Sequence, residues 1–209
     1  MNRATLDVRD LPPVVFDTRD VTWWGNFLLI LIETTTTLIL VTTYFYLAHN
    51  NEQWPPPQPH RMPTEMHPAP DLLYSTIIAV LLAASCIPMV MADKAARRND
   101  NHRVYPLVAI MFGLGLTALV LQALDFRGFH FRWDEHAYGS VIWSLVGLHF
   151  TYILFGVLET GVLLLWIWMY GIDANRTADV TLMGVVWYWT TAIWMLMYVV
   201  VYWTPRWMS

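Results

Sequence analysis

Five long apolar runs, near residues 23–48, 72–92, 104–124, 139–170 and 181–203, constrain this chain more than any other feature of it. A helix needs about 20 consecutive apolar residues to cross a hydrocarbon core about 30 Å thick, and each run is at least that long. Helices buried inside a large soluble protein can read the same way, but they require a polar shell around them. With 56% hydrophobic and 13% charged residues in a chain of 209, there is too little polar sequence to build that shell. The predicted fold is therefore all-α, a polytopic membrane bundle of five transmembrane helices. A polar N-terminal tail (1–22) precedes the transmembrane domain (23–209).

Orientation follows from the Lys and Arg residues, because short basic loops stay preferentially on the cytoplasmic side. The tail and the second and fourth loops hold Arg3, Arg9, Arg19, Lys94, Arg97, Arg98, Arg103 and Arg176; the other side holds Arg61, Arg127, Arg132 and Arg206. This places the N-terminus in the cytoplasm and the C-terminus outside. The first 20 residues alternate Arg and Asp and contain no apolar stretch of the signal-peptide kind, so insertion is expected to be directed by the first helix. Trp23 and Trp24 open the first run, Trp166 and Trp168 close the fourth, and Trp203 and Trp207 flank the end of the fifth, as interfacial aromatic belts do. The loop from His49 to Asp71 carries Trp54, then Pro55, Pro56, Pro57, Pro59, Pro63, Pro68 and Pro70, and is expected to run extended. Pro88 is a candidate kink in the second helix. The single cysteine, Cys86, excludes an intrachain disulfide and a thiolate cluster.

In lipid, helices meet through close packing of small residues. Ala79 with Ala83, Gly113 with Thr117, and Gly156 with Thr160 have the four-residue spacing of such seams. Only Glu33, His149 and Glu159 are ionisable side chains well inside the runs. Charge at mid-bilayer costs at least about 2.5–3.5 kcal/mol, which makes each a functional candidate. The hydroxyls of Thr34 to Thr37 can bond back to the preceding turn or serve the Glu33 carboxyl, so a hydrogen-bonded carboxyl at a protein interface is the plainer account of Glu33. His149, Tyr152, Gly156 and Glu159 follow a 3, 4, 3 spacing, read here as one helix seam. That seam is either a polar face turned to another chain or part of a relay of titratable groups.

Haem held by two histidines needs a matched pair inside the membrane, and His149 stands alone there. The remaining histidines, His49, His60, His67, His102, His130 and His136, fall in loops or at run edges without zinc-site spacing and are expected to face solvent. The chain is thus expected to hold no metal or other cofactor and no catalytic centre. Phosphate-binding glycine loops, nucleophile motifs and nucleic-acid signatures are absent from the sequence.

Several stretches together resemble subunit III of the haem-copper oxidases, the cytochrome c and quinol oxidases that reduce oxygen to water. The segment WWGNFLLILIETTTT from Trp23 is similar to the family's first helix of this unit, with Trp24 and Gly25 at its Trp-Gly and Glu33 at its buried glutamate. YFYLAHNNEQWPPP from Tyr44 resembles the following Trp-Pro-Pro loop. LQALDFRGFHFRWDEHAYGSVIWSLVGLH from Leu121 places Gln122, Asp125 (where the family usually has Glu), Tyr138, Gly139, Ser140, Gly147 and His149 on the family pattern in order. In the last helix Trp187, Trp194, Tyr198, Tyr202 and Trp203 keep register. A second histidine after His149 is replaced near Tyr152, and a His and an Asp of the last helix by Tyr188 and Thr191. Glu159 matches no carboxylate of the family.

The resemblance implies the five-helix bacterial form, in the plasma membrane, as a non-catalytic accessory subunit. Its implied partners are haem-copper oxidase subunit I, other oxidase subunits and phospholipids, with haem and copper residing in subunit I and no nucleic acid involved. The implied role is to support stability during turnover, oxygen access and proton uptake, with Glu33 and His149 facing subunit I or ordered lipid; Glu33, His149 and, by its intramembrane position alone, Glu159 are the candidate buried polar, lipid-facing or subunit-interface residues. Two other functions fit the same residues. One is the related subunit accompanying nitric oxide reductases; the other is an independent proton or ion carrier using the three intramembrane groups.

Overall fold

The computed structural model describes residues 21–56, 69–172 and 174–208, with backbone only for 174–176. The tail before Val21, most of the proline-rich loop with His60, Arg61 and His67, and the Arg176 side chain lie outside the described residues.

All regular structure among these residues is helical. Helix α1 runs Val21–Asn50, α2 Leu72–Ala96, α3 Asn101–Asp125 and α4 Ala137–Tyr170. Helix α5, Ala174–Met197, continues through a π-helical turn, Tyr198–Trp203, into a terminal α6, Thr204–Met208. Five helices are long and apolar enough to cross a membrane, the last running unbroken from Thr177 to Met208. Helix α2 continues through Pro88.

The helix ends follow from local chemistry. His136 caps α4, its Nδ1 accepting the Gly139 N–H at 2.8 Å and satisfying a donor that the first turn leaves unpaired. Gly171, at φ 74°, ends the same helix in a backbone region that side-chain-bearing residues avoid. Between α2 and α3, Asn99 takes φ 52°, a left-handed conformation that asparagine tolerates well.

Helices α2 to α5 pack in chain order, and α1 departs from it. α2 lies against α3, α3 against α4, α4 against α5, and α5 against α2, which closes a four-helix ring. α1 packs on the outside of that ring, against α4 and α5. The ring interior holds Ile78, Leu82, Met89, Met111, Ile142, Leu145, Ile153, Trp194 and Met197, all buried. It is cross-linked by the Trp187 indole N–H donating to Ser85 Oγ at 2.7 Å, from α5 to α2.

Close approach uses glycines in a different register from the spacing expected above. A Cβ added at Gly115 would come within 2.8 Å of Val157, and one at Gly161 within 3.0 Å of Phe112, so the α3–α4 seam runs through these two. Gly113 and Thr117 are exposed, and a Cβ at Gly113 would meet nothing within 4 Å. Ala79 is buried but Ala83 is not. Of the three expected pairs, Gly156 with Thr160 faces the ring: Thr160 bonds the Gly156 carbonyl at 2.7 Å and meets Met183 Sδ at 3.4 Å.

Candidate functional site

The polar residues inside the bundle form three groups. The first lies within the ring, where α3, α4 and α5 meet. Gln122 donates its amide N–H to the Val146 carbonyl at 3.1 Å, which leaves its oxygen facing His149 Nδ1 at 3.1 Å. The other ring nitrogen of His149 lies 3.2 Å from the Thr190 carbonyl, and the Trp194 indole covers the imidazole at 4.6 Å between centroids. Gln122, His149 and Trp194 are all fully buried. Both nitrogens of His149 are thus directed at carbonyl oxygens, and a neutral imidazole, with a single N–H, donates to one of the two. This arrangement cross-links three helices, because a polar group in hydrocarbon that lost its partner would cost about 1–3 kcal/mol.

The second group fastens α1 to the ring. Tyr152 donates its hydroxyl to the Glu33 carbonyl at 3.2 Å and lies 3.4 Å from Thr37 Oγ1. Trp189 donates to Thr34 Oγ1 at 2.8 Å, and the Trp189 and Tyr152 rings touch at 4.9 Å. The threonine hydroxyls themselves bond back one turn: Thr34 to Ile30, Thr35 to Leu31, Thr36 to Ile32 and Thr37 to Glu33 carbonyls, at 2.6–3.0 Å. They do not serve the Glu33 carboxyl.

That carboxyl instead lines an open groove between α1 and α4. A cavity of about 450 Å³ is bounded by Leu29, Glu33, Phe155, Leu158, Glu159 and Val162. It shares Leu29, Glu159 and Val162 with a second of about 600 Å³, which extends to Asn26, Trp166 and Asp179 near the start of α1. Glu33 and Glu159 therefore share one groove. His149 does not join them: it is fully buried in the ring, whereas Glu159 is exposed on the helix surface. The single seam read from the 3, 4, 3 spacing is corrected on this point. Ten residues at 100° each leave the two side chains about 80° apart around α4.

The third group lies at the opposite end of the bundle. Tyr202, carried on the π-helical turn, donates its hydroxyl to the Asp125 carboxylate, and both are buried. Arg206 donates to the carbonyls of Tyr202 and Pro70, the latter at 2.6 Å, tying the loop after α1 to the last helix. Tyr138 is the hub of an aromatic cluster with Phe131 at 5.0 Å, Trp54 at 5.1 Å and Tyr44 at 6.4 Å. Trp54 of the loop is thereby held between α1 and α4. A Cβ at Gly139 would run into the Arg132 carbonyl, which accounts for glycine there. Ser140 bonds the Trp133 carbonyl at 2.7 Å. Gly147 is half-buried with open space beside it, and Trp24 and Gly25 are exposed on α1.

Two expected loop histidines do not face solvent freely. His136 is a half-buried cap, and His130 lies 3.4 Å from Asp71. Sequence reasoning named Asp125 and Tyr202 separately without their pairing, and missed Asn26 and Asp179 beside the groove. These sit at helix ends, where no periodic pattern marks them. Among the described residues, no group of three or more His, Cys, Asp or Glu is placed to hold a metal ion.

A closed ring of four helices with a fifth fastened outside, all of membrane-spanning length, defines a multi-pass membrane protein. The family model described as cytochrome c oxidase subunit III matches residues 17–207. Curated relatives carrying the name cytochrome c oxidase subunit 3 include one from the bacterium Alkalihalophilus pseudofirmus, 28% identical over 136 residues, covering 63% of this chain and 65% of that protein. The pig protein is 23% identical over 141 residues, covering 68% of this chain and 54% of its own length. One from Spodoptera frugiperda is 24% identical over 141 residues, 68% of this chain and 96% of that sequence. The chain belongs to the cytochrome c oxidase subunit III family. It spans 65% and 54% of the lengths of the bacterial and pig relatives.

Proposed function

We propose that this chain is a non-catalytic, cofactor-free subunit of a respiratory terminal oxidase in a bacterial plasma membrane. It sits beside the haem-copper catalytic subunit I, and beside other oxidase subunits, with its N-terminus in the cytoplasm. Haem and copper reside in that partner. The observation that carries the reading is the state of α1: a membrane-spanning helix with 11% of its most apolar stretch buried, carrying Glu33 on a groove open to its surroundings. Such a face is completed by another subunit or by phospholipid, since an intramembrane carboxyl is costly without a partner. In this reading the α1–α4 groove is the contact surface, and Glu33 and Glu159 are its polar anchors. The ring with His149, Gln122 and Trp194 supplies rigidity, and the whole supports catalytic durability, oxygen access and proton uptake next door.

The test is a mild-detergent pull-down of the tagged chain with an absorption spectrum and mass spectrometry. Haem Soret and α bands with a large many-helix partner are expected. A colourless, solitary chain overturns the reading, and proton movement by that lone chain in liposomes would replace it with a carrier. Within an intact complex, Glu33→Gln is expected to leave assembly in place while changing turnover or its durability; loss of the complex would make Glu33 a structural residue.

A further inference from the structure

At the α2–α3 turn the chain gathers positive charge around a small, well-defined cleft. A cavity of about 190 Å³ is bounded by Lys94, Arg98, Asp100 and Arg103, with Met91 and Leu107 on its membrane side. The turn is rigidly built. Asn99 closes it in a left-handed conformation, and its backbone is tied by Arg98 N–H to the Ala95 carbonyl at 3.1 Å, Asn99 N–H to Ala96 at 2.9 Å and Asp100 N–H to Ala95 at 3.1 Å. Arg103 is paired with Asp100 at 3.2 Å. Arg97, on the other side of α2, is paired with Asp93 at 2.9 Å. The side chains of Lys94 and Arg98 make no ion pair or hydrogen bond with another described residue. Lys94 lies in the last turn of α2 and Arg98 in the turn that follows it, both bordering the same cleft, in a protein whose formal net charge is −4.

We propose that this cleft binds the phosphodiester headgroup of an anionic phospholipid. Three cations against one carboxylate leave an excess of positive charge around the cleft, which an anion neutralises. The apolar rim of Met91 and Leu107 faces the direction in which acyl chains must run, which selects a lipid over a free anion. Basic pockets between transmembrane helices have the right chemistry for acidic headgroups, each Lys or Arg near an anionic surface contributing roughly one factor of five to ten in affinity. The hydrogen-bonded turn fixes the backbone that carries Arg98, while the exposed cationic side chains are left to close on the headgroup.

The experiment uses the purified protein with whatever subunits accompany it. Lipid retention is read by native mass spectrometry and thermal midpoint by intrinsic tryptophan fluorescence, in phosphatidylcholine nanodiscs with and without phosphatidylglycerol. The wild type is expected to retain phosphatidylglycerol and to gain thermal stability from it. Lys94→Gln/Arg98→Gln, with helix content checked by circular dichroism, is expected to bind it about thirtyfold more weakly and to lose most of the gain. Arg132→Gln, at the other end of the bundle, serves as the charge control and is expected to keep both. Equal retention by the wild type and the double variant, or equal loss in the control, overturns the site. A gain given equally by inorganic phosphate in phosphatidylcholine assigns the cleft to a free anion and overturns the lipid. If the double variant does not fold, Arg103→Gln alone is read the same way, with a smaller expected loss.

Discussion

Helices α1 and α5 are both membrane-spanning, yet 11% of the most apolar stretch of α1 is buried against 50% for the last span. α5 closes the ring and carries Trp187, Trp194 and Met197 into its core, whereas α1 is held by bonds around Glu33 to Thr37 and by the aromatic contacts of Tyr44. The difference teaches that apolarity decides only whether a segment enters the bilayer. Which neighbour it faces depends on packing and on a few polar bonds, because lipid is as apolar as leucine and gives no drive toward other helices.

The largest effect that would test this contrast is in the ring. Trp194→Ala is expected to cost about 3–5 kcal/mol, by opening a cavity among fully buried neighbours, seen as a large drop in thermal midpoint or in folded yield from detergent extracts. Gly115→Val is expected to follow at about 1–3 kcal/mol, since even a Cβ there meets Val157; the same assay reads it, and an unchanged midpoint would show the α3–α4 seam to be looser than described. Trp189→Phe is expected to cost about 1 kcal/mol by removing the bond to Thr34. Its signature is local: increased protease or cross-linker access to α1 with the ring's midpoint nearly unchanged. The smallest effect is at Gly25, where Gly25→Ala is expected to leave stability within about 0.5 kcal/mol, because nothing lies within 4 Å of the added Cβ. A large loss there would mean that α1 is packed more tightly than its exposure indicates.

The five spans were legible in the sequence because length and apolarity are local properties. The arrangement around α1 was not, because nothing local distinguishes a helix inside the ring from one outside it. The small-residue spacing was right in kind and wrong in register at Gly113 and Thr117: four-residue pairs mark a face without saying which way it turns, and Gly115 does the packing instead. His149 and Glu159 were both visible as intramembrane groups, but their assignment to one seam ignored the drift of the helix over ten residues. The residues that carried the family resemblance divide in space. Gln122, Asp125, Tyr138, Gly139, His149 and Trp194 lie inside, while Trp24 and Gly25 lie on the outer helix. A motif read along the chain had no means of showing that division.

The placement of α1 also bears on how the molecule comes to be made. Ribosomes deliver α1 to the membrane before α4 and α5, yet Tyr152 and Trp189, which fasten it, lie on those later helices. Helix α1 therefore stands in lipid, its Thr34 and Glu33 without those contacts, until α4 and α5 have been synthesised. On this geometry the seating of α1 depends on helices made after it, so its place in the bundle is set only once α4 and α5 are present.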